Sequence, residues 1–174
     1  MSFNFSGKTA VVTGASRGIG EAIARTLAGG GARVIMVARS ADKTKALAKE
    51  LGGGAEVVEA DLAAEDGWKT ASDGVLALSD KIDVLVNNAG VSEAQPMGEV
   101  TAAGLDKTLN VNVRNLILLT DALSAALIAK KGAVVNVSSV SSFSGAVGQI
   151  AYSTSKGAVN AFTRNASIDL GRKG

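Results

Sequence analysis

The stretch Thr13-Gly14-Ala15-Ser16-Arg17-Gly18-Ile19-Gly20 joins two segments of different periodicity. Before it runs Thr9-Ala10-Val11-Val12, a short apolar run that reads as a buried strand. After it, Glu21 to Ala28 carries helical spacing. The glycines therefore stand where a strand turns into a helix. Gly14 allows the tight turn, Gly18 lets backbone approach a ligand, and Gly20 lets helix and strand pack closely. The helix start offers unpaired N–H groups and the positive end of its dipole, which suit a phosphate. The spacing is G-x-x-x-G-x-G rather than the plain G-x-G-x-x-G fingerprint. Its context favours dinucleotide binding over an ordinary glycine-rich loop.

Outward from this loop, strands and helices alternate. Strands are expected at Arg33–Ala38, Glu56–Ala60, Ile82–Val86 and Ala133–Val137. Helices are expected over Ala41–Leu51 with Ser40 as cap, Glu65–Ser79, one long helix Ala102–Ala129, and Tyr152–Leu170. The triplets Gly29-Gly30-Gly31 and Gly52-Gly53-Gly54 end the first two helices. The strands are unbroken apolar runs, as in a parallel sheet covered on both faces. Right-handed crossovers then give a single doubly wound α/β domain. Leu116 to Ile128 is apolar nearly all round, more than one sheet face can cover, so at least a dimer is expected.

Composition removes several classes of chemistry. The chain has 174 residues, 47% apolar and 20% charged, with a net charge of +2. With 0 Cys and 0 His it lacks disulfides, thiol nucleophiles and the usual zinc ligands, and no metal is expected. Acid–base work must fall to Tyr, Lys, Asp or Glu. Scattered basic residues and 3% aromatics argue against nucleic acid. Neither a signal peptide nor a membrane span is read, so the cytoplasm is the expected location.

Ligands of such sheets sit beyond the carboxyl ends of the strands. There the second strand ends in Ala38-Arg39-Ser40, where an NAD protein usually carries a carboxylate. Arg39 would instead grip the extra phosphate of NADP, and Arg17 is a second candidate; both also read as solvated surface arginines. Asp61 reads equally as an acceptor for the adenine amino group or as a helix cap. Asn87-Asn88-Ala89-Gly90 either fixes loops, contacts the cofactor, or simply turns. Tyr152, the single tyrosine, lies four residues before Lys156, so both project from one helix face. A nearby ammonium favours the phenolate and makes the phenol a usable acid or base; a surface pair with no such role has the same spacing. Ser139, or a neighbouring loop serine, can donate to a carbonyl oxygen.

T-G-x-x-x-G-x-G, then N-N-A-G, then a serine ahead of Y-x-x-x-K, in this order, resembles the classical short-chain dehydrogenase/reductase family with its Rossmann-like fold. The resemblance implies a tetrad. Tyr152 is the proton donor, Lys156 lowers its pKa and holds the nicotinamide ribose, Ser139 polarises the carbonyl, and Asn112 anchors a relay water, with Asn110 the lesser match. It implies cofactor contacts from Gly14, Ser16, Arg17, Gly18, Ile19, Gly20, Arg39, Asp61, Leu62, Asn88, Ala89 and Gly90, together with Tyr152 and Lys156. The implied function is NADP(H)-dependent reduction of a ketone or aldehyde, reversible toward the alcohol, by a homodimer or homotetramer. Val91 to Gly98, Phe143, Val147 and Gln149 are expected to line the substrate pocket. Members usually run to about 250 residues. Five of an expected seven strands are present, and residues 1–174 read as the dinucleotide-binding domain, truncated before the sixth. The fifth strand is then a bare edge, and a catalytically inactive nucleotide-binding or interaction module is the alternative.

Overall fold

The computed structural model describes residues 3–173; Met1, Ser2 and Gly174, which carry part of the reading of the two termini, lie outside the described residues. Five parallel strands form one sheet in the order β3-β2-β1-β4-β5. They are β1 Thr9–Thr13, β2 Arg33–Ala38, β3 Glu56–Glu59, β4 Val84–Asn87 and β5 Ala133–Asn136. The helices are α1 Gly18–Gly29, α2 Ala41–Leu51, α3 Gly67–Leu78, α4 Ala102–Leu109, α5 Asn115–Ala122, α6 Ser124–Ile128 and α7 Ile150–Gly171. β1 pairs with β2 on one side and β4 on the other, so chain direction across the sheet reverses beside β1. A crevice opens at such a reversal, beyond the carboxyl ends of the strands.

Alternation along β1 explains why both faces are covered. Val11 points into a core with Val75 of α3 and Leu119 and Leu123. Ala10 and Val12 point the other way, against Ala24 and Leu27 of α1 and Leu47 of α2. Successive strand side chains face opposite sides, so an all-apolar strand needs helices on both.

The expected single helix over Ala102–Ala129 is instead three α-helical segments with a π-helical turn at Asn110–Arg114. A π turn carries one extra residue and re-aims the side chains within it. Ser40 makes no side-chain cap; its carbonyl accepts from the Thr44 amide and hydroxyl instead. Leu116, Leu119, Leu123 and Leu127 are buried by the chain's own fold, while Ile117, Leu118 and Ile128 stay half-buried. β5 is the edge of the sheet, with Val135 49% exposed. Among the described residues, no helix is long and apolar enough to cross a membrane.

Candidate active site

The crevice is a cleft of about 350 Å³ lined by the glycine loop and by Arg39, Asp61, Leu62 and Asn88 to Val91. Gly14 and Gly18 adopt φ of 67° and 59°, the left-handed region that favours glycine. A Cβ on Gly14 would come within 2.9 Å of the Ala89 Cα, so a side chain is excluded twice over. A Cβ on Gly20 would strike the Gly14 carbonyl and the Asn88 amide, which fits the close packing expected of it. Nothing stands within 4 Å of where a Gly18 Cβ would be, so the loop is open on the side a ligand would approach. α1 begins at Gly18, and Arg17 caps it with no side-chain bond. Its first N–H groups therefore stay available to an anion.

Side chains at the end of β1 and β4 hold this loop. Thr13 Oγ1 accepts from the Asn88 and Ala89 amides, each at 3.0 Å. Asn88 Nδ2 donates to the Thr13 carbonyl at 2.9 Å and to the Gly14 carbonyl at 3.3 Å. Asn87 Nδ2 donates to Thr120 Oγ1 and to Asn136 Oδ1. Both asparagine amides thus fix loops and strand ends, while Asn88 also lines the cleft. Sequence reasoning did not single out Thr13 as part of the site. The only available signal was its place directly before the first glycine.

Arg17 and Arg39 are exposed at the cleft. Arg39 Nε lies 3.8 Å from Asp61 Oδ1, beyond hydrogen-bond reach but close enough for an exposed ion pair. Asp61 Oδ1 accepts from the Ala63 amide at 2.9 Å. The carboxylate thus closes a local turn before α3, whose cap position is Asp66.

The second half of the site is carried by the π turn, the end of β5 and α7. Lys156 is buried, and its Nζ lies 5.7 Å from the Tyr152 ring centroid, so the two do share a face. The ammonium donates to the Val137 carbonyl at 2.7 Å. Burial pulls its pKa below the ordinary lysine value. A Cβ on Gly90 would lie 3.6 Å from Lys156 Nζ and 3.4 Å from Asn112 Oδ1, so these three residues meet at one point. Asn112 is fully buried; its Oδ1 accepts from the Val91 amide, and its Nδ2 donates to the Val91 carbonyl and to Ser155 Oγ. Asn110 points elsewhere, donating to the Ala63 carbonyl, and Asn115 donates to the Leu62 and Ala64 carbonyls. Ser139 caps a short 3-10 turn, its Oγ accepting from the Ser141 amide at 3.1 Å, which leaves its O–H proton to donate.

Gln95 and Gln149 bridge the two loops expected around a substrate. The Gln95 amide donates to the Gly148 carbonyl and Ser92 Oγ to Gln149 Oε1. Phe143 and Val147 are 86% and 93% exposed, so their side chains meet solvent rather than an enclosed pocket.

Residues 8–174 match the family model described as short chain dehydrogenase. The chain is 37% identical over 98% of its length to the 3-oxoacyl-(acyl-carrier-protein) reductase FabG of Aquifex aeolicus (strain VF5), of which it covers 71%. It is likewise 37% identical over 98% of its length to the L-xylulose reductase of Bos taurus, covering 69% of that protein. A metagenomic short-chain oxidoreductase solved in complex with NADP superposes with a TM-score of 0.90 at 40% identity, over 97% of this chain and 79% of that one. A match of this extent has one reading: the chain belongs to the short-chain dehydrogenase family.

Proposed function

We propose that the protein is an NADP(H)-dependent reductase of a ketone or aldehyde, reversible toward the alcohol. The nicotinamide cofactor, when bound, supplies or accepts the hydride. The chain's own residues do the rest. The glycine loop and the start of α1 offer backbone N–H groups to the diphosphate, on a loop packed against Ala89 and Asn88 at Gly14 and Gly20 and open at Gly18. Arg39, with Arg17, receives the extra phosphate of NADP. NADP in the solved relative and the missing carboxylate at Arg39 both support that choice over NAD.

Tyr152 gives its phenolic proton to the carbonyl oxygen in reduction and takes it back in oxidation. Ser139 donates its free proton to the same oxygen and draws charge toward it. Lys156 uses one of three N–H bonds on the Val137 carbonyl, which leaves two for the ribose hydroxyls. Asn112 anchors the water that returns a proton. The observation that carries the proposal is the buried ammonium of Lys156 held 5.7 Å from the ring of Tyr152. An ammonium is rarely buried without a partner or a task.

Tyr152→Phe tests it. The ring and its packing stay and only the proton goes, so NADPH binding by fluorescence should persist while turnover of a carbonyl panel is lost. Reduction at the parent rate by the variant would refute the mechanism. The half-exposed Ile117, Leu118 and Ile128 support self-association into at least a dimer. Sedimentation at micromolar concentration should find one, and only monomer would count against it.

A further inference from the structure

We infer that Ser155 is a positioning residue, the link that fixes Asn112 and the loop after β4 to the turn of α7 carrying Tyr152. Ser155 is fully buried. Its Oγ donates to the Tyr152 carbonyl at 2.6 Å and accepts from Asn112 Nδ2 at 3.0 Å. A serine hydroxyl has one proton. With that proton committed to Tyr152, the oxygen can only accept, so it selects the NH₂ end of the Asn112 amide. The rest of that amide clasps both backbone groups of Val91, at 2.8 and 2.9 Å. The result is an unbroken chain of hydrogen bonds from Val91 through Asn112 and Ser155 to the backbone of Tyr152.

Asn112 makes no other side-chain bond to α7. The π turn explains the reach, since its extra residue re-aims Asn112 toward α7, whereas Asn110 faces the opposite loop. Removing the Ser155 hydroxyl orphans one N–H of a fully buried amide. With no oxygen left to satisfy that N–H, the amide rotates to find a partner, and rotation frees Val91. Ser155 touches no reacting atom in this scheme; it acts through Asn112 and the Tyr152 turn.

The activity arm of the test rests on the reductase reading; the exchange arm does not. In Ser155→Ala, amide hydrogen exchange at Val91 should accelerate about tenfold, while Leu85 and Val86 in β4 keep their protection. kcat should fall about tenfold or more, with the NADPH affinity and KM near those of the parent. Ser155→Thr restores the hydroxyl and should recover both. Ser155→Cys, close in size, serves if the alanine variant does not fold, and should show the same selective loss at Val91. Unchanged exchange at Val91, or equal loss at Val91, Leu85 and Val86, overturns the inference. A parent chain that reduces no carbonyl, with the selective exchange effect intact, overturns the reductase reading and leaves the link standing.

Discussion

Replacing Thr13 by valine isolates one oxygen atom on which the glycine loop depends. Thr13 is 1% exposed, and its Oγ1 receives two backbone amides, those of Asn88 and Ala89. Valine keeps the shape and deletes the acceptor. Each orphaned buried donor costs about 1–3 kcal/mol. The Asn88 amide keeps the Val86 carbonyl at 3.1 Å, so valine orphans the Ala89 amide alone and removes the long 3.4 Å bond from Thr13 Oγ1 to that carbonyl. The expected loss is about 1–3 kcal/mol, or roughly 3–9 °C in Tm for a domain of this size. Thr13→Ser keeps the acceptor and loses a buried methyl, worth about 1 kcal/mol. The order parent, serine, valine is therefore fixed by the hydrogen bonds, whereas apolar burial alone would put valine above serine. Urea unfolding followed through Trp68, the single tryptophan and half-buried against the core, reads the order directly. NADPH affinity should fall in the valine variant and hold in the serine one. A valine variant as stable as the serine variant refutes the reasoning.

Two further outcomes are expected. Arg39→Asp should swing the ratio of NADPH to NADH affinity toward NADH; at 62% exposure the low end of a charge-assisted bond applies, about tenfold, and an unchanged ratio moves the phosphate contact to Arg17 or to neither. Asp83 contributes stability that is lost in acid. Burial works to raise its pKa, but the Thr9 amide, Lys8 and Lys130 outweigh it and hold the carboxyl below its ordinary value. Its stabilisation is therefore full above the unfolded pKa of about 3.9 and is lost as pH falls through the lower folded one. Asp83→Asn should cost about 1–2 kcal/mol at pH 7 and progressively less below pH 4; equal gaps in urea midpoints at both pH values would contradict this.

Much of this architecture is legible in the sequence because it rests on local chemistry. Apolar runs such as Arg33–Ala38, which forms β2, declare a buried strand without reference to anything distant. The glycine loop is legible for the same reason, since positive φ at Gly14 and Gly18 leaves few residues to choose from. The π turn is not legible. One inserted residue barely disturbs the apolar periodicity on either side, and the clue, Asn110, Asn112 and Asn115 in close succession, gains meaning only when their separate partners are known. Ser40 misleads because capping preference is statistical. Here its carbonyl, not its hydroxyl, meets Thr44. Ser155 escapes notice because a serine inside a helix has no local signature, and its role exists only through Asn112.

These hidden residues share a physical cause. Where a parallel sheet stops, the strand ladder stops supplying partners, yet the loops that follow still carry buried N–H and C=O groups. Those groups must be met by side chains. In this chain Thr13, Asn87 and Asn88 stand at or just past the ends of β1 and β4, and Asn136 ends β5. Each bonds a neighbouring strand end, loop or helix rather than its own segment. Asn112 and Ser155 do the same from the helical side. With no histidine in the chain, the proposed chemistry falls to one phenol and one ammonium, and their usefulness depends on distance more than on intrinsic reactivity. Helix α7 sets that distance, and the polar side chains at the strand ends hold the loops beside it. They cost desolvation when buried, and that cost is returned only when every donor finds its acceptor, as it does for the Asn112 amide. Loss of a single acceptor should therefore disturb the site well before it unfolds the sheet.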